Sequence, residues 1–263
     1  MRRQSPSSPA GQPQTASRVV TESPIPVLPS YFKNNEEKTR FLSGIFDRTA
    51  PDYDRMERLL GLGSGSWYRR QALQRAGLTA GMRVIDVAVG TGFVAREAVH
   101  IVGEPGLVVG VDPSPGMLNS AKVPPGVRLV EGRAEAIPFP DQSFDFLSMG
   151  FALRHISSLS VAFGEFHRVL KPGARICILE ITAPKSRFGN ALLKLYMRAI
   201  VPTLGRLFTR SDATAQLWRY YWDTIEACVP AESVIATLQS CGFEDVQRSV
   251  SHGIFSEYQA RRP

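Results

Sequence analysis

Residues 84–95 read VIDVAVGTGFVA: an apolar, β-branched stretch runs into a glycine-rich turn and then into a segment with helical character. Such a unit gathers backbone N–H groups and a helix N-terminus at one place, and its glycines let a ligand approach the main chain. Gly90, Gly92 and Ala95 fit the pattern G-x-G-x-x-A, and Asp112 lies 20 residues beyond Gly92. This spacing predicts a nucleoside-containing ligand whose ribose hydroxyls bind Asp112.

Apolar runs begin near residues 83, 106, 127, 144 and 175, and helix-length segments separate several of them. The runs are nearly continuous rather than alternating, which is typical of parallel strands buried on both faces. The phrases CGFEDVQRSVS and IFSEYQARR near the C-terminus predict a closing pair of strands. The sequence therefore predicts a doubly wound α/β sheet.

Length and composition favour one globular domain, since the chain has 263 residues of which 43% are hydrophobic. The first thirty residues contain six Ser and six Pro, and they lack the apolar core of a signal peptide. We expect residues 1–32 to be a disordered extension and residues 33–263 to form the domain. An organellar presequence is the alternative interpretation of the extension.

The net charge of +7 is spread along the chain without a run of five basic residues, so we expect solvated surface and no nucleic-acid partner. Three cysteines, Cys177, Cys228 and Cys241, lack metal-ligand spacing and indicate reduced thiols in a cytoplasmic protein. We expect no metal site and no transmembrane helix, because no stretch approaches 18 consecutive apolar residues.

Residues 185–220 contain an amphipathic, basic segment inserted late in the predicted fold. We expect it to form a helical lid over the mouth of a substrate site, or to make peripheral contact with a membrane. A helix packed on the domain with a solvated basic face is the alternative. Asp223 and Glu226 are candidates to pair with its basic residues, although exposed helical charges usually face water. The sequence leaves both a monomer and a homodimer open.

Asp86 discriminates between ligands, since it lies within the first strand, four residues before Gly90. A carboxylate there would repel the pyrophosphate of NAD, whereas it suits a cationic ligand. S-adenosylmethionine is such a ligand, because it carries an ammonium group and a sulfonium and has no phosphate. The sequence therefore favours S-adenosylmethionine over NAD.

Several co-linear motifs extend this interpretation. Asp86, Ala88, Gly90 and Gly92 match D-x-A-x-G-x-G, and later motifs match VVGVDPSPGML (108–118), GRAEAIPFPDQSFD (132–145) and EFHRVLKPGARICILE (165–180). With these motifs the chain resembles class I S-adenosylmethionine-dependent methyltransferases. Residues 40–250 are most similar to the C-methyltransferases of ubiquinone and menaquinone biosynthesis, through FDRTAPDYDRMERLLGLGSGSWYRR, FALRHIS and YYWDTIEACVP.

The resemblance implies a Rossmann-like, seven-stranded, mostly parallel sheet with N-terminal helices and a helical lid insertion. It implies S-adenosylmethionine as the cofactor and an apolar small-molecule acceptor such as a quinol. It also implies that Met117 packs on the adenine and that Arg133 and Ala134 line it. The full set of expected cofactor-binding residues is Asp86, Ala88, Gly90, Thr91, Gly92, Asp112, Met117, Arg133, Ala134 and Gly150.

Three residues are candidates for the chemistry. Arg154 follows the fourth strand and would steady an oxygen of the acceptor or position a water, although a surface ion pair is its alternative role. His155 has the pKa of a general base, but a single histidine after a strand is more often structural. Tyr53 would close over the cofactor with its ring facing the sulfonium, or would simply pack a helix, with Asp54 as a cap.

The departures from the family pattern keep other functions open. They are Glu57 for Asn, Gly65 for His, Tyr68 for Trp, Arg133 for Asp or Asn, His155 for Asn, Ala174 for Gly, and FSEYQARR for a histidine-containing phrase. We expect these changes to gather around the acceptor. The alternatives are O- or N-methylation of a natural product or lipid, another group transfer to a quinone, an NAD-dependent oxidoreductase, or a non-catalytic binding protein with a degraded site.

Overall fold

The computed structural model describes residues 23–61, 64–184, 186–204 and 212–263. Most of the predicted disordered extension, residues 1–22, lies outside the described residues, as do Lys185, Arg206 and Arg210 of the predicted lid. The strands are β1 Val84–Val87, β2 Val108–Asp112, β3 Arg128–Glu131, β4 Phe144–Gly150, β5 Leu170–Ile181, β6 Glu244–Ser251 and β7 Phe255–Arg261. The helices are α1 Asn35–Gly61, α2 Ser64–Arg75, α3 Phe93–Val102, α4 Pro115–Ser120, α5 Leu159–Val169, α6 Arg187–Leu195, α7 Asp212–Ala227 and α8 Ala231–Ser240.

The seven strands form one sheet in the order β3-β2-β1-β4-β5-β7-β6. The strands from β1 to β5 pair in parallel, and β7 is antiparallel to both β5 and β6. The predicted seven-stranded, mostly parallel sheet is confirmed, including the closing strand pair. The strand order reverses between β1 and β4, and such a switch point leaves a crevice at the carboxyl ends of the strands.

Burial explains why the central strands are almost continuously apolar. Every residue of β1 and of β2 is buried, because helices cover both faces of the sheet. The side chains of α5 and α8 pack on one face and those of α2 and α3 on the other. At the edge, β6 alternates between exposed and half-buried residues and carries charged side chains, which discourage pairing with another chain.

A third apolar cluster lies in a helical layer built from α1, α7 and the turn of π-helix at Tyr196–Ile200 that follows α6. Residues 23–32 belong to this layer: Ile25 and Phe32 are each 2% exposed, and Pro24 O accepts a hydrogen bond from Val229 N at 2.8 Å. Residues 23–32 of the predicted extension thus pack against the helical layer, and the division of the chain at residue 33 stays a prediction. The Ser- and Pro-rich composition concealed a few apolar side chains whose partners lie far along the sequence.

Candidate active site

A cavity of about 530 Å³ opens at the carboxyl ends of β1, β2 and β4, where the strand order reverses. The helical layer closes its other side. Of the expected cofactor-binding residues, those that line it are Ala88, Gly90, Thr91, Asp112, Met117, Arg133, Ala134 and Gly150. The fold thus brings together, in one cavity, residues that are up to 62 positions apart in the sequence.

The glycines of the turn serve two different purposes. A Cβ on Gly90, whose φ is 54°, would meet no protein atom within 4 Å, so this position leaves room for a ligand against the main chain. A Cβ on Gly92 would lie 2.4 Å from Cγ1 of Val123, and Gly92 is the N-cap of α3 rather than part of the cavity wall. Ala88 also adopts a positive φ, of 57°, which is the kind of backbone strain found at ligand sites.

Asp112 holds the turn and remains able to bind a ligand. Its Oδ2 accepts a hydrogen bond from Gly90 N at 2.8 Å, and its Oδ1 accepts one from Ser114 N at 2.9 Å. Burial raises the pKa of this carboxyl to about 6, and the two backbone hydrogen bonds oppose the rise. A carboxylate offers about four lone-pair positions, so two remain for ribose hydroxyls.

The residues expected to surround the adenine, Met117, Arg133 and Ala134, all line the cavity. Met117 and Ala134 are buried and line it. The half-exposed Arg133 side chain is directed to its neighbours: Nη2 donates to Ser157 Oγ at 3.2 Å, and Nε lies 3.6 Å from Glu135 Oε2. The contact of Arg133 with the adenine therefore stays a prediction.

Asp86 lies beneath the cavity wall rather than on it. The residue is 1% exposed, and its Oδ1 accepts a hydrogen bond from Ser148 Oγ at 2.7 Å. Its Oδ2 has no hydrogen-bond partner among the described residues, and burial raises the pKa to about 7. Asp86 does not line the cavity, and its predicted role in binding a cationic cofactor stays a prediction. The buried carboxylate can act on a cation only through its charge or through a bridging water.

Aromatic side chains form the other end of the cavity. Leu42, Phe46 and Tyr53 enter from α1, and Tyr221 enters from α7. The hydroxyl oxygens of Tyr53 and Tyr221 lie 3.0 Å apart, and burial raises the pKa of both phenols. Tyr53 thus lines the cavity, and both its role as a gate over the cofactor and its contact with the sulfonium stay predictions.

His155 lines the cavity beside these aromatic rings. Its ring stacks on those of Tyr220 and Tyr221, with centroids 5.6 and 5.7 Å away, and its Nδ1 lies 3.3 Å from the Tyr220 hydroxyl. Burial, together with the charges of Arg154 and Lys38, holds the imidazole pKa well below its usual value. The ring is therefore neutral at physiological pH, and Nε2 has no hydrogen-bond partner among the described residues.

Arg154 lies behind the wall, in contrast to the contact with an acceptor that the sequence predicted. It is 0% exposed and does not line the cavity. Its guanidinium forms an ion pair with Glu180 and donates from Nε to Thr224 Oγ1 at 3.2 Å, while Cζ lies 5.7 Å from the Tyr221 ring centroid. The pairing is buried rather than a surface ion pair, so Arg154 can influence the cavity only through its neighbours.

Several departures from the family pattern lie outside the cavity, which corrects the expectation that they surround the acceptor. Tyr68 stacks on Phe255 of the altered C-terminal phrase, with ring centroids 4.7 Å apart. A Cβ on Gly65 would lie 2.5 Å from Arg69 Nη1 and 2.8 Å from Glu57 Oε1, so the change at 65 accommodates the change at 57. Of the departures, only Arg133 and His155 line the cavity.

Sequence reasoning missed some residues of the wall, notably Arg69 and the two phenylalanines Phe93 and Phe151 that flank its guanidinium. It also missed Asp47 of α1, whose Oδ1 accepts hydrogen bonds from Ser114 Oγ and Gly116 N at 2.5 and 3.0 Å. The phrase SWYRR gave the only signal for Arg69, and it did not say which arginine faces the cavity.

Solved structures with this fold include an S-adenosylmethionine-dependent methyltransferase from Thermotoga maritima, with a TM-score of 0.59 and 21% identity over 84% of this chain and all of that one. Another is the Haemonchus contortus phosphoethanolamine N-methyltransferase 2 bound to S-adenosylmethionine, with a TM-score of 0.54 and 18% identity over 75% of this chain and 53% of that one. The open space at Gly90 and the spare acceptor positions of Asp112 fit this cofactor. This fold and this site are those expected of an S-adenosylmethionine-dependent methyltransferase.

Proteins with similar sequences narrow the class of methyltransferase to one family. The ubiquinone/menaquinone biosynthesis C-methyltransferase UbiE of Shewanella piezotolerans is 32% identical over 80% of this chain and 86% of its own length. The protein with the same description from Coxiella burnetii is 30% identical over 85% of this chain and 92% of its own length. The profile of the ubiE/COQ5 methyltransferase family matches residues 32–261. The chain belongs to this family, which decides against the NAD-dependent oxidoreductase.

Proposed function

We propose that this methyltransferase adds a methyl group to a ring carbon of an apolar, quinol-like acceptor. The observation that carries the proposal is the composition of the cavity, which pairs a polar end around Asp112 with an apolar end of Leu42, Phe46, Tyr53 and Tyr221. A planar aromatic ring fits between such side chains through apolar and edge-to-face contacts. The names of the curated relatives support the same acceptor class.

Charge also favours a neutral acceptor. The acidic residues that line the described cavity, Asp112, Glu131 and Glu135, belong to the strand ends and loops on the nucleoside side. The aromatic end contributes neutral groups, including the uncharged imidazole of His155. A cationic amine would lose its hydration there without gaining a carboxylate, which is costly. This argues for a phenol or quinol over an amine.

Methyl transfer requires little of the protein beyond the positioning of the acceptor and the methyl donor. S-adenosylmethionine, when bound, supplies an electrophilic methyl group. The aromatic end holds the acceptor ring in line with that group and excludes water, and such alignment contributes much of the acceleration. Nε2 of His155 is the atom left to hydrogen-bond an acceptor hydroxyl or to receive the ring proton, directly or through water.

The test is to incubate the purified protein with S-adenosylmethionine carrying an isotopically labelled methyl group and a panel of acceptors. The panel holds demethylated benzoquinols and naphthoquinols, their oxidised quinones, a catechol and an aromatic amine. We expect a gain of one methyl group on a quinol ring carbon, located by NMR, and none on the oxidised quinones, whose rings are electron-poor. Methylation confined to oxygen or nitrogen would contradict the proposal and support the alternative acceptor classes.

We further propose that α6 docks on a membrane surface from which an apolar acceptor is taken, with the enzyme on the cytoplasmic side. Its exposed apolar side chains are Phe188, at 81% exposure, with Leu192, Leu195 and, in the following turn, Ile200. Lys194 and Arg198 lie 3.4 and 3.5 Å from Glu226 and Asp223 of α7, so much of the basic charge is paired. The described helices include none that is long and apolar enough to cross a bilayer.

Vesicle flotation tests this docking. Phe188→Ser with Leu192→Ser should reduce binding to phosphatidylcholine vesicles by at least tenfold, because burial of each side chain contributes about 1.5–3 kcal/mol. Trp67→Ser is the matched control, since Trp67 is 62% exposed on α2. Binding that depends on salt and anionic lipid but not on these two residues would contradict apolar docking. Light scattering on the same variants would show whether the exposed apolar side chains of α6 instead join two copies of this chain in a dimer.

A further inference from the structure

Arg69 is a buried cation on the wall of the cavity. It is 6% exposed, and its Cζ lies 4.9 Å from the ring centroid of Phe93 and 5.2 Å from that of Phe151. Its Nη1 forms an ion pair with Glu57 Oε1 at 2.7 Å. Its Nε has no hydrogen-bond partner among the described residues, although it is buried.

A buried guanidinium N–H without a partner costs free energy, so such a group in a ligand cavity indicates a ligand acceptor. The rings of Phe93 and Phe151 stabilise the charge and fix the guanidinium plane. An arginine fixed in this way is suited to an anionic, planar group such as a carboxylate, which it can bind through two parallel hydrogen bonds.

The position of Arg69 identifies that carboxylate. Asp112 at the end of β2 marks the ribose, and Met117 with Ala134 marks the adenine. The rest of the cofactor must then extend across β1 towards the end of β4, where Phe93 follows the glycine turn and Phe151 follows the strand. The other arginine that lines the described cavity, Arg133, lies at the adenine end.

We propose that Arg69 binds the α-carboxylate of the methionyl group of S-adenosylmethionine. The proposal rests on the cofactor and not on the identity of the acceptor. Glu57 competes for the same guanidinium, which makes its carboxylate a weakening influence on cofactor affinity. Glu57 stands where the family usually has Asn, so this competition is a feature of the present chain.

Isothermal titration with S-adenosylmethionine and with its decarboxylated form tests the assignment, because the second ligand keeps the sulfonium and the amine but lacks the carboxylate. The wild type should bind the carboxylated ligand at least tenfold more tightly. Arg69→Met should weaken binding of S-adenosylmethionine by roughly 10- to 100-fold, the range expected for charged hydrogen bonds, and change binding of the decarboxylated form less than threefold. The affinity of Arg69→Lys for S-adenosylmethionine should lie between those of the wild type and of Arg69→Met.

Two controls separate this role from a structural one. Arg70→Met removes the neighbouring arginine, which pairs with Glu97 at 2.8 Å outside the cavity, and should leave both affinities unchanged. Glu57→Gln should raise the affinity for S-adenosylmethionine several-fold. Equal losses for both ligands in Arg69→Met, or a wild type that does not distinguish them, would overturn the proposal while leaving the cofactor assignment intact. A wild type that binds neither ligand would overturn both.

A raised KM for the acceptor in Arg69→Met with unchanged cofactor affinity would show that the guanidinium serves an anionic group of the acceptor instead. That outcome would also overturn the proposal.

Discussion

The hydroxyl oxygens of Tyr53 and Tyr221 lie 3.0 Å apart and join α1 to α7 over the apolar end of the cavity. Tyr53→Phe keeps the ring and removes this hydrogen bond, so it should lower the free energy of unfolding by about 1 kcal/mol. We expect a few-fold rise in the KM of the acceptor and little change in cofactor affinity. Tyr53→Ala, which also removes the ring, should weaken cofactor binding if the ring faces the sulfonium; equal cofactor binding in both variants would exclude that contact.

Asp86 makes stability depend on pH. Burial raises its pKa from 3.8 to about 7, so the folded protein retains a proton between pH 4 and 7 that the unfolded chain releases. The free energy of unfolding should therefore fall as pH rises through this window and level off above pH 7. Asp86→Asn removes this contribution. The difference in free energy of unfolding between Asp86→Asn and the wild type should therefore shift in favour of the variant by a few kcal/mol between pH 4 and 8, at about 1.4 kcal/mol per pKa unit.

Denaturant unfolding at several pH values measures this difference. Ser148→Ala serves as the companion variant, because loss of the hydrogen bond from Ser148 should raise the pKa of Asp86 further and extend the window above pH 7. An offset between wild type and Asp86→Asn that is the same at every pH would show that the carboxyl does not titrate there.

Gly65 and Glu57 should be energetically coupled, since a side chain at 65 meets the Glu57–Arg69 ion pair. Gly65→His alone should destabilise the protein by about 1–3 kcal/mol, the usual range for overpacking. Glu57→Asn, which restores the family residue, should recover at least about 0.5 kcal/mol of that loss in a double-mutant cycle. Gly164→His is the matched control, because a Cβ on this helical glycine would meet nothing within 4 Å; additive effects at 57 and 65 would contradict the coupling.

His155 should act as a neutral hydrogen-bonding group. Since its pKa is held well below 6.5, kcat/KM should show no inflection from this imidazole between pH 6 and 8. His155→Asn keeps a hydrogen-bonding side chain and should retain activity within about tenfold, whereas His155→Ala should lose roughly 10²-fold or more if the group assists proton transfer. An inflection near pH 6.5 in the wild type that disappears in His155→Asn would contradict a permanently neutral ring.

The sequence predicted local features well and long-range pairings poorly. The glycine turn, the acid at the end of β2 and the closing strand pair follow from spacing and alternation within short windows. The burial of Arg154 depends on Glu180 and Thr224, which are 26 and 70 residues further along the chain. The position of Arg69 depends likewise on Phe151, and that of Asp86 on Ser148. No pattern in a single sequence predicts which distant side chain will pair with a buried charged group.

The packing of residues 23–32 against the end of α7 has a consequence for biosynthesis. Pro24 O accepts a hydrogen bond from Val229 N. Lys38 Nζ donates hydrogen bonds to Ser23 Oγ at 3.1 Å and to Ile156 O at 2.9 Å, the latter next to His155 in the sequence. A ribosome releases the N-terminal residues first, and domains acquire structure as synthesis proceeds. The first turns of this chain must therefore wait for about two hundred further residues before their partners emerge. Asp112, at the end of the cavity where we propose the nucleoside, is therefore synthesised well before Tyr221, which lines the end that we propose for the acceptor.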